Sequence, residues 1–136
     1  MLKIAAAAIL ALVGGSLALA EEASPPPETA ITLELQEAVR NGDKDWFVSH
    51  LHFPVRYFGK TKRVIRSKDW VLSHYDTVIG PELKASILAQ DPEDIFKNYQ
   101  GIMVGGGSRN IWLNDFGDPG AGSPSRYEII TINNSD

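Results

Sequence analysis

Gly101-Ile-Met-Val-Gly-Gly-Gly-Ser108 ("GIMVGGGS") matches the phosphate-cradling pattern G-x-x-x-x-G-K-[ST] at every place but one, with Gly107 where the lysine belongs. A phosphate loop is delivered by a strand and left by a helix whose N-terminus faces the anion. Here the residues that follow, Arg109 to Asp115, alternate as a strand does, with Ile111 and Leu113 on one side and Asn110, Trp112 and Asn114 on the other. Both the lysine and the helix are missing. The stretch therefore reads as strand, turn, strand, with the glycines supplying positive φ at little steric cost. Gly117 to Ser125 ("GDPGAGSPS") is then a long turn, and Arg126 to Asn133 ("RYEIITIN") a last strand.

Ahead of this strand-rich third the period is helical. Thr29 caps a first helix with Ile31, Leu35, Ala38 and Val39 on one face, ended by Asn41-Gly42. Asp43 caps a second, shorter one carrying Trp46, Phe47 and Leu51, and Pro54 stops it. Val55 to Phe58 and Arg63 to Arg66 flank Gly59-Lys-Thr-Lys62 as a hairpin. Ser67 caps a third helix through Trp70, Val71, His74, Tyr75 and Val78, and Gly80-Pro81 begins another with Leu83, Ile87 and Leu88. Asp91-Pro92-Glu93-Asp94 has the form of a helix start ahead of Ile95 and Phe96. Helices ahead of a meander predict an α+β fold, N-terminal helices packed on a curved antiparallel sheet.

The chain's start reads as an export signal. Lys3 precedes an apolar stretch from Ile4 to Leu19, and Ala18-Leu19-Ala20 offers a cleavage site before Glu21-Glu22. The expected organisation is a signal peptide over 1–20, a Pro-rich disordered leader over 21–28 and one domain over 29–136. The mature protein is then periplasmic or secreted, with no stable membrane insertion after cleavage near Ala20. It has no cysteine, so its core rests on aliphatic and aromatic burial alone. A net charge of −4 argues against nucleic-acid binding.

Four segments carry a likeness: "LHFPVRYF", "WVLSHYDTVIGPELKASIL", "IFKNYQGIMVGGGSRNIWLN" and the closing "YEIITINN". With the order of elements they resemble the NTF2-like superfamily, and within it a group of small bacterial periplasmic proteins. The resemblance covers about Thr29 to Asn134. It implies a cone-shaped sheet with a pocket between sheet and helices, and a tendency to dimerise through the sheet. It carries no catalytic residue over, because the superfamily hosts unrelated activities.

Candidate sites follow from residue chemistry. His50 and His52 are two residues apart, but zinc wants three or four ligands, and with His74 the only further histidine no metal site is expected. Arg56, Lys60, Lys62, Arg63, Arg66 and Lys68 form a cationic run with no acid inside it. That run suits an anionic partner, although charges on an exposed hairpin more often serve to deter edge pairing. Asp76, with Tyr57 or His50, is a candidate acid–base group if burial raises its pKa. Trp46, Tyr57, Tyr75 and Trp112 are candidate walls of an apolar pocket, although aromatic residues at such spacings more often build core. The leading expectation is a small exported binding protein without catalysis or cofactor. It takes a small apolar ligand or an envelope protein, as an inhibitor or immunity-type module does. The alternative is a cavity enzyme of isomerase or hydrolase type.

Overall fold

A computed structural model describes residues 24–136, so the expected signal peptide and the first residues of the expected leader lie outside the described residues. Helix α1 (Pro27–Asn41) starts ahead of Thr29. Pro26 is its N-cap, and Pro27 takes the first turn, where a missing N–H leaves nothing unsatisfied. Pro27 and Glu28, expected in the leader, thus lie in α1. Gly42 closes α1 in the left-handed region. Asp43 then caps α2 (Lys44–Ser49) by accepting the Trp46 N–H at 3.1 Å.

Strand β1 (Leu51–Phe58) pairs antiparallel with β2 (Lys62–Ile65) from Val55 onward. β1 begins ahead of Pro54, which sits where the pairing on the other side of the strand shifts register, between Leu51 and Arg56. An irregularity of that kind tolerates a residue with no N–H to donate. Ser67 caps α3 (Lys68–Ala89), which is broken at Gly80 and Pro81. β3 (Phe96–Asn98), β4 (Gly101–Gly106), β5 (Arg109–Asp115), a short 3-10 turn (Pro119–Ala121) and β6 (Tyr127–Asn134) complete the chain. The glycine stretch is a hairpin: Gly106 pairs with Arg109, and Gly107 (φ 60°) and Ser108 turn the corner.

The fold is α+β, with helices on a curved six-stranded sheet of order β2-β1-β6-β5-β4-β3. The expectation of an antiparallel sheet is corrected at one place: β6 runs parallel to β1. The long helix α3 separates the hairpin from the meander, so the last meander strand returns beside β1 in β1's own direction. The helix expected near Ile95 and Phe96 is also corrected. Asp91 Oδ1 accepts the Glu93 N–H at 2.9 Å, and Gln90 Nε2 donates to the carbonyls of Asp91 and Asp94. A turn closes there instead, and Phe96 pairs with Met103 in the sheet.

One face of the sheet meets the helices. Ile102, Val104, Ile111, Leu113, Ile129 and Ile132 are fully buried against Leu35, Phe47, Val71, Val78, Leu83 and Ile87. Each such side chain contributes about 1.5–3 kcal/mol of burial. The opposite face carries a row that the register defines: Phe96, Met103, Trp112, Thr131, Arg56 and Val64. No helix among the described residues is long and apolar enough to cross a membrane.

Candidate functional site: a charged cleft at a helix break

Pro81 lies inside α3 and has no N–H, so the carbonyl of Thr77 loses its helical partner. The hydroxyl of Tyr57, on β1, donates to that carbonyl at 3.4 Å. Asn134, at the end of β6, donates its side-chain amide to the carbonyls of Val78 at 3.1 Å and Ile79 at 3.2 Å. The break is thus held from the sheet. Gly80 adopts φ 61° and ψ 161°, a backbone reserved in practice for glycine, and a Cβ there would stand 3.0 Å from the Asn134 amide nitrogen.

The break opens a cleft of about 490 Å³ bounded by the β1–β2 turn, α3 and the ends of β5 and β6. Lys60, Arg63 and Arg109 reach it from the sheet side, Asp76 and Glu82 from the helix, and Asp136 from beyond β6. Lys60, Arg63, Asp76 and Glu82 make no ion pair among the described residues. The Arg63 guanidinium lies over the Trp70 ring, 4.6 Å from its centroid, and the Trp70 ring stacks on His74 at 4.1 Å. Arg109 Nε donates to Asn134 Oδ1 at 3.2 Å, and its Nη2 pairs with Asp136.

Burial raises the pKa of Tyr57, so its phenol stays a neutral donor committed to Thr77. His74 Nδ1 is 2.8 Å from the Trp70 carbonyl oxygen. A carbonyl can only accept, so Nδ1 donates to it. Asp76 lines the cleft with both, yet its carboxylate makes no hydrogen bond among the described residues.

The structure separates the other candidates. His50 stands at the end of α2, with Nδ1 2.8 Å from the Trp46 carbonyl and its ring stacked on Trp46 at 3.9 Å. It does not join Asp76 and Tyr57. The four aromatic candidates do not line one cavity. Tyr57 borders the cleft, while Tyr75 is buried edge-on to Phe47 at 5.7 Å, its hydroxyl without a hydrogen-bond partner among the described residues. Burial, with the charges of Asp76 and Asp43, raises the Tyr75 pKa. Trp46 hydrogen-bonds Glu34 at 3.3 Å, and Trp112 meets Phe96 on the opposite sheet face.

The cationic run is divided in the same way, because neighbouring strand residues point to opposite faces. Arg63, beside Tyr57, and Lys60 in the turn serve the cleft. Lys62 lies opposite Phe58 on the other face, where Arg56 also donates to Thr131 Oγ1 at 3.1 Å. Arg66 and Lys68 are exposed beyond β2. His52 shares no site with His50: it pairs with Glu128 at 2.8 Å and stacks on Phe116. Glu128 is partly buried, which opposes its charge, but His52 and Arg126 outweigh that and hold its pKa below the usual carboxylate value. No group of three His, Cys, Asp or Glu side chains suited to a metal occurs among the described residues.

Sequence reading missed Arg109 and Asn134, and it missed a repeat. Lys44-Asp-Trp-Phe-Val-Ser-His50 and Lys68-Asp-Trp-Val-Leu-Ser-His74 share five of seven residues, and the structure gives both the same geometry. In each a capping residue accepts the Trp N–H at 3.1 Å, and the Ser and His both bond the Trp carbonyl. The heptapeptide identity was the available signal. Compared with family models, with curated proteins and with solved structures, the chain finds no match.

Proposed function

We propose that this is a small exported protein of NTF2-like type that binds a ligand in the cleft at the Gly80–Pro81 break and does not transform it. Two helices and a hairpin ahead of a long helix, with a closing run of strands on a curved sheet, support the fold-family part of this reading. The apolar stretch and Ala18-Leu19-Ala20 support export to the periplasm or beyond.

One observation carries the binding reading. Cations on the sheet wall and acids on the helix wall line one cleft without closing on each other, while Tyr57, Asn134 and the His74 Nδ1 are committed to the backbone of α3. Unpaired charges are available to a ligand, and a cleft of this volume holds a small molecule.

Native mass spectrometry of the chain purified from the periplasm tests this. The denatured mass should correspond to cleavage after Ala20. The native mass should exceed it by a small molecule that the Lys60→Ala/Arg63→Ala variant no longer retains. An empty native protein, or equal retention by the variant, would overturn the proposal.

A further inference from the structure

The ion pair at the cleft mouth is unequal. Arg109 on β5 has a side chain 26% exposed: its Nε donates to Asn134 Oδ1 at 3.2 Å, and its backbone is held by the Ser86 hydroxyl, which donates to its carbonyl at 2.7 Å. The Asp136 side chain is 99% exposed, and it makes no hydrogen bond or ion pair but that with Arg109 Nη2 among the described residues. A guanidinium oriented by Asn134 therefore carries, on its solvent side, a carboxylate held by that one ion pair. Both residues line the same cleft as Lys60 and Arg63, which have no ion-pair partner among the described residues.

We propose that Asp136 occupies the position where the cleft's ligand places a carboxylate, so that the ligand is a carboxylate and Asp136 is its internal competitor. This rests on the reading of the cleft as a binding site. Arg109 is preorganised, so little side-chain entropy is lost when an incoming carboxylate takes the place. Exposed pairs hold their partners weakly, so Asp136 yields without strain elsewhere. Asp76 and Glu82 on the opposite wall repel a second negative charge and favour a monoanion over a phosphate.

The probe is acetate, titrated into the full chain while the Arg109 side-chain Nε–H signal is followed by NMR. Acetate should move that signal. Asp136→Asn should bind it about two- to fivefold more tightly, the range an exposed pair of this kind can impose. Arg109→Lys, which keeps the charge but loses the planar fork, should weaken binding. Equal affinity in the parent and Asp136→Asn, or a stronger response of Arg109 to inorganic phosphate than to acetate, would overturn the inference. Acetate acting on Arg63 but not Arg109 would overturn it while leaving the cleft-binding reading standing. No response anywhere in the cleft, from a protein that also purifies empty, would remove both.

Discussion

The hydroxyl of Tyr57 meets the carbonyl of Thr77 at 3.4 Å, and that carbonyl is the one Pro81 leaves without a helical donor. The helix break is thus a three-part joint in which proline removes a donor, glycine takes the backbone conformation, and β1 and β6 supply replacement hydrogen bonds. Tyr57, Thr77, Gly80, Pro81 and Asn134 all line the cleft, so the joint forms part of its wall.

Asn134 does more of this than Tyr57. Its amide serves two carbonyls at 3.1 and 3.2 Å, whereas the Tyr57 bond is long. Asn134→Ala should cost about 1–3 kcal/mol, the usual penalty for leaving buried acceptors unpaired, and Tyr57→Phe only about 0.5–1 kcal/mol. Urea denaturation of both variants measures the difference, and equal losses would mean that the carbonyls find other donors.

Gly80→Ala should destabilise by about 1–3 kcal/mol through backbone strain, because its φ of 61° and ψ of 161° leave no comfortable place for a Cβ. Pro81→Ala should cost under about 1 kcal/mol, since it loses only chain stiffness at a helix start and regains an N–H. Thermal unfolding of the two variants tests the ranking. A larger loss at Pro81 would make proline, rather than glycine, the residue that sets the break.

Glu28 ties α1 to the sheet: Lys97 Nζ lies 2.6 Å from its carboxylate and the Tyr127 hydroxyl 3.1 Å. The Lys97 hydrogen bond is the largest cause of a carboxyl pKa held below the ordinary value, with further help from a backbone hydrogen bond and Tyr127 against partial burial. A pKa lowered in the folded state contributes stability above the unfolded value and loses it as pH falls through the folded one. Burial, with the Glu28 charge, also raises the Tyr127 pKa, so that phenol remains a donor throughout. Glu28→Gln should therefore cost about 1 kcal/mol near neutral pH, and the deficit should shrink as pH falls from neutrality through the carboxylate range. Urea midpoints of parent and variant across that range decide it, and a deficit independent of pH would assign Glu28 a packing role only.

These relationships show where sequence reading reaches and where it stops. The caps at Asp43 and Ser67, the glycine hairpin and the interruption at Gly80-Pro81 are local chemistry and were legible. Asp91-Pro92-Glu93-Asp94 has equally good local chemistry for a helix. The turn wins because the Gln90 side chain binds two of its carbonyls and β4 offers Phe96 a pairing partner. The parallel pairing of β1 with β6 joins strands over seventy residues apart, as with Leu51 and Ile129, and no local pattern encodes it. The cleft inherits that difficulty. Tyr57 and Asn134 come from those two strands, so only the closed sheet brings them to the same helix break.

The division of the cationic hairpin gives the sharpest functional prediction. Arg63 and Lys60 face the cleft, whereas Arg56 and Lys62 lie on the other side of the same two strands. If the run acted as one electrostatic patch, neutralising either pair would weaken anion binding alike. Strand alternation predicts otherwise. Lys60→Ala/Arg63→Ala should lower acetate affinity in the cleft by about two- to fivefold and flatten its salt dependence, because charges close to the anion are removed. Arg56→Ala/Lys62→Ala should leave the affinity nearly unchanged, since those charges are separated from the cleft by the thickness of the sheet. Titrations of the two variants at low and high salt make the comparison. An equal loss from both pairs would return the hairpin to a diffuse positive field, with no particular part for Arg63 over Trp70.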